Sequence, residues 1–369
     1  MVLEGRNCSL RVEGGKILEV LPGVPTSNRW IVRKSFDLNV KNSESVVRLS
    51  RAARAGGVGR FLLIPEQKPI YNKLHLSYNL KRASEVEFPI FVAIEGIHGE
   101  ELTEIATLHK KGAKGIYIQS DQDLNLICRV FEYGELLGIP IIVRCHNRSW
   151  DYGVMNEGEM AYRLGISGIP GYVEAVEVAK IYQLSRHFNA TLFFPEITAK
   201  ESLEILKGHP ENIWVGVPID NLYFTDRQLK GFNTLYKTFP PLRGEEDREA
   251  LLEGVRKGEV EIISSNHIAA LQKDLPLEIA EPGIGKLDIF SQLAYSLPLP
   301  VERIEEAVAV NPAKLFQVES ELEGENFLQL EFGEWPVDPA QFHSRTDQTP
   351  YTRLRAQIRV AGGERGFRF

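Results

Sequence analysis

Long apolar segments and excess basic charge are both missing from this sequence. No apolar run approaches the roughly 18 residues that a membrane-spanning helix needs, so we expect no membrane segment. The 43 Lys and Arg residues are outnumbered by 50 Asp and Glu residues, which gives a formal net charge of −7. A nucleic-acid partner is not expected, because neutralising phosphates requires a basic surface.

Cysteine is scarce as well. The three cysteines, Cys8, Cys128 and Cys145, are scattered and odd in number, so a disulfide framework is not expected. No Cys-x-x-Cys occurs, which excludes the common type of structural zinc site. The N-terminus lacks the basic and then apolar pattern of a signal peptide. These features together predict a cytoplasmic protein in a reducing compartment.

The sequence does contain a repeated alternation of short apolar runs with amphipathic stretches. Continuous apolar strands that alternate with helices indicate a parallel sheet covered on both faces. Eight such units predict an α/β fold of the (β/α)8 TIM-like barrel type over residues 35–318. The runs are residues 35–38, 60–64, 89–94, 115–118, 140–143, 190–194, 213–217 and 260–264.

Both ends of the chain have a strand pattern instead. Residues 8–12 and 16–20 alternate polar and apolar side chains around Gly14-Gly15, which is typical of a β-hairpin. Residues 327–332 and 354–361 also have a strand pattern. We therefore predict a small β-domain, made of residues 1–34 and 319–369, beside the barrel.

Four segments, spread over nearly the whole chain, resemble loops of the dihydroorotase family of cyclic amidohydrolases. They are AGG at 55–57 with IPEQKP at 64–69, MNEGEM at 155–160 with GIP at 168–170, PPLR at 240–243, and NPAKLF at 311–316. The segments follow one another in the family's order. The resemblance implies an amidohydrolase-type barrel with a flanking β-domain built from both termini.

The resemblance also implies a zinc centre at the carboxyl end of the barrel, and the sequence departs from that centre. The family supplies a His-x-His on strand one, single histidines on strands five and six, and a catalytic aspartate on strand eight. None of the eight histidines here forms a His-x-His. The matching positions hold Asn39 and Lys41 on strand one, Arg144 on strand five, Glu196 on strand six and Asn266 on strand eight.

These replacements all oppose metal-dependent catalysis. Lysine ligates a metal only after losing its proton, and arginine keeps its charge in proteins, so Lys41 and Arg144 would repel a metal cation. Asn266 cannot act as a base, because a carboxamide does not titrate near neutral pH. We predict that Lys41 and Arg144 pair with Glu196, and that this cluster replaces the metal.

The substrate contacts implied by the resemblance are altered too. Glu66 and Phe239 stand where the family has asparagines, and His267 follows the lost aspartate in a changed segment. A carboxylate at position 66 would repel an anionic dihydroorotate. We interpret these three residues as a vestigial substrate pocket.

These losses predict a catalytically inactive dihydroorotase homologue with no cofactor. Non-catalytic chains of this family that hold aspartate transcarbamoylase in a large assembly resemble this pattern. The resemblance therefore implies a structural or regulatory partner of aspartate transcarbamoylase in pyrimidine biosynthesis. We expect a homo-oligomer or a hetero-oligomer.

An active enzyme is the first alternative. The family's acidic position on strand four falls near Ile118 and Gln119, and Asp121 lies close by. With His146 and Glu196, Asp121 could hold zinc in a rearranged site that interconverts dihydroorotate and carbamoyl aspartate.

A small-molecule sensor is the second alternative. Lys41, Glu66 and Arg144 at the mouth of the barrel would suit a zwitterion. Metal content and turnover separate the active enzyme from the other two hypotheses.

Overall fold

Strands and helices alternate along most of the chain in the computed structural model, which describes residues 1–150, 153–345, 348–353 and 355–361. The strands are β1 Val2–Leu3, β2 Cys8–Glu13, β3 Lys16–Pro22, β4 Arg29–Val32, β5 Ser35–Lys41, β6 Val58–Ile64, β7 Ile90–Glu95, β8 Ile97–His98, β9 Glu101–Leu102, β10 Gly115–Gln119, β11 Ile141–Arg144, β12 Met155–Asn156, β13 Gly168–Ile169, β14 Leu192–Phe194, β15 Ile213–Pro218, β16 Ile262–Ser264, β17 Leu328–Pro336 and β18 Arg355–Ala361.

The helices lie mainly between the barrel strands. They are α1 Val46–Ala55, α2 Lys73–Glu85, α3 Ile105–Lys110, α4 Leu124–Leu137, α5 Glu159–Leu164, α6 Gly171–Ser185, α7 Lys200–Leu206, α8 Asp220–Tyr223, α9 Glu245–Lys257, α10 Phe290–Tyr295, α11 Val301–Glu305 and α12 Asn311–Leu315. The local sequence determines where several of these helices begin and end. Asp123 caps α4 by accepting from the Leu126 amide, and Gly138 ends that helix in the left-handed region at φ +63°.

Eight parallel strands form the predicted barrel, in the order β5, β6, β7, β10, β11, β14, β15, β16. The ends of this sheet meet where Val40 of β5 bridges His267, whose carbonyl accepts from the Lys41 amide at 3.2 Å. All eight apolar runs identified in the sequence lie on these strands, so the fold prediction is confirmed. Within the described ranges, no helix is both long enough and apolar enough to cross a membrane.

Side-chain alternation divides the barrel core into two layers. The inward side chains form a cluster inside the ring of strands, whereas the outward ones pack beneath the helices. The inward cluster contains Phe36, Leu38, Leu62, Ile64, Ala93, Tyr117, Ile142, Phe193 and Ile262. The barrel interior is therefore filled by side chains, so a ligand site built on these strands lies at their ends.

Strands from both termini flank the barrel. β2 and β3 form the predicted antiparallel hairpin, and β4, β17 and β18 share a second antiparallel sheet. Leu10, Val12 and Ile31 form a small separate core there. Within the predicted β-domain, residues 346–347, Leu354 and residues 362–369 lie outside the described residues.

Candidate functional site

Four charged side chains form a closed set of ion pairs at the carboxyl end of the barrel. Lys41 Nζ contacts Glu66 Oε2 and lies 3.2 Å from Glu196 Oε2. Arg144 Nη1 lies 2.5 Å from Glu66 Oε1, and Arg144 Nε lies 3.3 Å from Glu196 Oε1. Each carboxylate thus touches both cations. We call Lys41, Glu66, Arg144 and Glu196 the ion-pair ring.

Strand register brings the ring together. Lys41 and Arg144 are the last residues of β5 and β11, and Glu66 and Glu196 each follow a strand by two residues. β5 pairs with β6 so that Lys41 lies opposite Ile64, which places Glu66 just beyond it. Because the carboxyl ends of parallel barrel strands meet at one face, residues far apart in sequence become neighbours.

The ring is buried and electrically balanced. The Lys41 side chain is 0% exposed, and the other three are at most 11% exposed. Burial alone would raise the pKa of Glu66, but Arg144 and Lys41 together hold that pKa below its usual value. Burial likewise opposes the charge of Arg144, yet Glu66 and Glu196 keep the pKa of Arg144 above its ordinary value. With two basic and two acidic side chains, the ring has no formal net charge.

Neighbouring residues seal the ring. Asn39 Nδ2 donates to Glu196 Oε2 at 3.3 Å. The Phe239 ring covers the Arg144 guanidinium, with 4.3 Å between Arg144 Cζ and the ring centroid. The His146 ring meets the edge of Phe239 at 4.6 Å between centroids. The predicted contacts of Lys41 and Arg144 with Glu196 are thus present, and Glu66 joins them instead of remaining a free carboxylate.

Asn266, which stands where the family resemblance implies the catalytic aspartate, forms a hydrogen bond with the backbone. Its Nδ2 donates to the Phe239 carbonyl at 3.1 Å. Its φ of +47° lies in the left-handed region, which asparagine tolerates better than most residues. A carboxamide held this way ties the β16 end to the Phe239 segment and offers no base.

His267 belongs to a separate buried pair. Its Nδ1 accepts from the backbone amides of Lys286 and Leu287, both at 3.1 Å, so Nε2 carries the proton. That Nε2 lies 3.2 Å from Glu44 Oε1, and both side chains are fully buried. His267 therefore fixes the strand that closes the barrel and does not reach the ion-pair ring through either nitrogen.

The alternative zinc ligands are not assembled. Asp121 accepts from Arg148 Nε at 2.8 Å, Glu196 is in the ion-pair ring, and His146 lies against Phe239. Across the described ranges of the chain, no three His, Cys, Asp or Glu side chains are grouped so that they could hold a metal ion.

The residues present do not fit the zinc centre that the resemblance implies. Both available carboxylates already face an ammonium and a guanidinium at contact distance. A divalent cation placed among them would meet two fixed positive charges, and neither Lys41 nor Arg144 offers a lone pair while charged. The pocket is therefore built around protein cations.

A second group of buried charges lies near the β16 end, and no pattern in the sequence predicted it. Lys286 Nζ pairs with Asp220, both fully buried, and Tyr351 Oη donates to Asp220 Oδ1 at 2.6 Å. Lys273 Nζ donates to the Lys237 carbonyl at 2.8 Å. Burial, assisted by nearby Lys237 and Lys286, lowers the pKa of Lys273 to about 7.

Comparison of the fold with solved structures shows which class of fold the chain has. The chain superposes on L-hydantoinase (dihydropyrimidinase) from Arthrobacter aurescens with a TM-score of 0.80 at 16% identity, covering 97% of this chain and 92% of that one. Dihydroorotase from Campylobacter jejuni gives a TM-score of 0.69 at 18% identity, over 89% and 96% of the two chains. The fold is that of the cyclic amidohydrolases.

Sequence comparison then gives the family. The chain is 26% identical to the dihydroorotase of Thermoanaerobacter sp. (strain X514) over 96% of its own length and 88% of that protein. It is 30% identical to the dihydroorotase of Caldicellulosiruptor saccharolyticus over 74% of its length and 67% of that protein. No family model matches the sequence. The chain belongs to the dihydroorotase family.

Proposed function

We propose that this chain is a catalytically inactive dihydroorotase homologue. The observation that carries the proposal is the ion-pair ring, because Lys41 and Arg144 stand at the strand ends where the family resemblance implies metal-binding histidines. Without a bound metal, no group here lowers the pKa of water to form hydroxide near neutral pH. Asn266 adds no base, so the hydrolytic and the condensing directions both lack their proton acceptor.

The purified protein is expected to hold no stoichiometric zinc and to convert neither dihydroorotate nor carbamoyl aspartate. Elemental analysis and assays in both directions, with and without added Zn²⁺, measure this. The physical reason is that Zn²⁺ would have to displace Lys41 and Arg144 from two carboxylates in a buried site.

Near-stoichiometric zinc, together with turnover that His146→Ala or Glu196→Gln removes, would overturn the proposal. His187→Ala is the matched histidine control, because His187 is exposed at the end of α6 and far from the strand ends that carry the ring. Turnover that all three variants retain would equally contradict inactivity.

We further propose that the chain serves as a structural or regulatory partner of aspartate transcarbamoylase in pyrimidine biosynthesis. The support is the segment 155–170, which contains two motifs that resemble the family, together with exposed aromatic side chains in and beside it. Around the segment 155–170, Tyr162 is 88% exposed, and Tyr172 and Trp150 are exposed as well. Trp150 and Tyr172 contact each other edge to face, 6.4 Å between centroids. Exposed aromatic side chains are typical anchors of protein interfaces.

Co-expression with aspartate transcarbamoylase of the same organism is expected to give a stoichiometric complex that survives size exclusion at micromolar concentration. Tyr162→Ala with Tyr172→Ala is expected to weaken that complex at least tenfold, because truncating an aromatic anchor costs roughly 2 kcal/mol or more. Tyr78→Ala, which changes a tyrosine on α2 that is 62% exposed, is the control and should leave the complex intact. Clean separation of the two wild-type proteins would refute the partnership.

A further inference from the structure

One buried arginine holds both ends of the segment 155–170. The ends are β12 and β13, which pair in parallel so that Asn156 lies opposite Ile169. Arg243 Nη1 donates to Asn156 Oδ1 at 3.2 Å and to the Ile169 carbonyl at 2.7 Å. The same nitrogen therefore joins the two ends, and the chain between them forms a compact loop that contains α5.

The other nitrogens of Arg243 fix this loop to the barrel. Nε donates to Thr198 Oγ1 at 3.0 Å, and Nη2 lies 3.7 Å from Glu174 Oε2. Glu174 Oε1 accepts from the backbone amides of Thr198 and Ala199, both at 2.9 Å. The Arg243 and Glu174 side chains are at most 4% exposed, so water hardly competes for these contacts. The loop is thereby tied to the turn between β14 and α7.

A guanidinium is the group that these contacts require. Its donors lie in one plane and point in several directions, so one side chain reaches all of these acceptors at once. A lysine ammonium would keep the charge opposite Glu174, but it presents its three donors from a single atom. Asn156 is held from its other side as well, because its Nδ2 donates to Asp226 Oδ2 at 2.9 Å. Both ends of the Asn156 carboxamide are therefore fixed.

The loop that Arg243 holds displays an aromatic side chain to solvent. The helix α5 has only six residues, and so short a helix has little stability of its own. Ala161 packs inward at 3% exposed, whereas Tyr162 is 88% exposed and adds little to the packing of the fold. The buried hydrogen bonds at the base of the loop thus determine where an exposed tyrosine stands.

We propose that Arg243 is a positioning residue for the partner contact: it holds the segment 155–170 in the conformation in which α5 presents Tyr162. The inference rests on the proposed association with aspartate transcarbamoylase. A preformed loop lets the partner bind without first ordering it, and ordering would otherwise reduce the affinity. Asn156, Ile169 and Arg243 lie in three of the segments that resemble the family, so the proposal gives those segments a role outside the ion-pair ring.

Arg243→Lys tests the proposal, because it keeps the charge beside Glu174 and loses the planar set of donors. In the isolated chain, amide hydrogen exchange across residues 155–170 should become about tenfold faster. Arg33→Lys is the matched control, because Arg33 also contacts a backbone carbonyl and a carboxylate but directly follows β4 in the flanking strands. It should leave exchange across residues 155–170 unchanged.

The affinity for aspartate transcarbamoylase, measured by calorimetry well below the unfolding temperature of every variant, is the second readout. Arg243→Lys should weaken the complex about tenfold, and Arg33→Lys should not weaken it. With Tyr162→Ala already present, Arg243→Lys should have little further effect, because the contact that Arg243 positions is gone. A purely structural role of Arg243 would not make the two changes interdependent.

Asn156→Ala removes one acceptor of Arg243 and leaves its pair with Glu174, so it should change exchange and affinity in the same direction. Three results would overturn the inference: unchanged exchange in both Arg243→Lys and Asn156→Ala, wild-type affinity in both, or losses that add to that of Tyr162→Ala. Any of them would leave the proposed partnership standing. A wild-type protein that does not bind aspartate transcarbamoylase would instead refute the partnership, and this inference with it.

Discussion

Replacing Lys41 with methionine is expected to lower the free energy of unfolding by about 3–5 kcal/mol. Methionine keeps most of the lysine stem but removes the charge, so Glu66 and Glu196 are left with Arg144 as their shared cation. The buried ring then carries a net negative charge where water is excluded. Thermal and urea unfolding of the variant measure the loss.

A charge-balanced double variant separates loss of packing from loss of neutrality. Lys41→Met with Glu66→Gln restores one cation and one anion, so it should be more stable than the sum of the two single changes predicts, by about 1–3 kcal/mol. Additive losses would contradict the ring as a coupled unit. Arg129→Met, which removes an exposed i,i+3 pair with Glu132 on α4, should leave the stability close to that of the wild type, because solvent screens this pair.

Replacing Lys273 with methionine is expected to stabilise the protein at pH 7 by about 2–4 kcal/mol. Lys273 is 2% exposed, and the one described hydrogen bond of its side chain goes to the Lys237 carbonyl. Its pKa is lowered to about 7, chiefly by burial. Methionine removes the cost of keeping this amine out of water, which outweighs one hydrogen bond of about 1 kcal/mol.

The stability gained by replacing Lys273 should depend on pH. Between pH 7 and the ordinary lysine pKa of 10.5, the unfolded chain holds the proton that folded Lys273 has lost, so the wild-type protein gains stability as pH rises through that window. The advantage of the methionine variant should therefore be largest at or below pH 7 and shrink toward pH 10. Urea unfolding across this range measures it. Lys81→Met, on an exposed face of α2, is the control, and its stability relative to the wild type should not change with pH. If the stability difference between Lys273→Met and the wild type were the same at every pH, this explanation would be wrong.

The barrel could be predicted because its strands are buried on both faces. Each of the eight apolar runs became a strand within a few residues of its predicted bounds; the run at 140–143, for instance, became Ile141–Arg144. The sequence also predicted which side chains meet, because the carboxyl ends of the strands in a parallel barrel converge at one face. These side chains are Asn39, Lys41, Arg144 and Glu196.

The partners of Glu66 depend on information that the sequence does not display locally. The sequence suggested only that Glu66 would repel dihydroorotate in a vestigial pocket. It did not reveal the pairing of Glu66, because Arg144 is 78 residues away and the β5–β6 register decides that Lys41 lies beside Glu66. Lys273, Lys286 and Asp220 gave no signal at all. Single polar residues in long connections look alike whether they end up exposed or buried, and only packing distinguishes them.

The shared contacts of the ion-pair ring also restrict the evolutionary routes that lead out of it. Returning to a metal site needs histidines at positions 41 and 144 together with changes at 39, 196 and 266, because each cation now supports both carboxylates. The first of these substitutions would leave a buried charge without its partner and lower the free energy of unfolding by about 3–5 kcal/mol. That is a large share of the roughly 5–15 kcal/mol by which a protein is stable. Under the proposed function, the ring therefore makes the loss of the metal site difficult to reverse, because selection for stability alone opposes each first substitution.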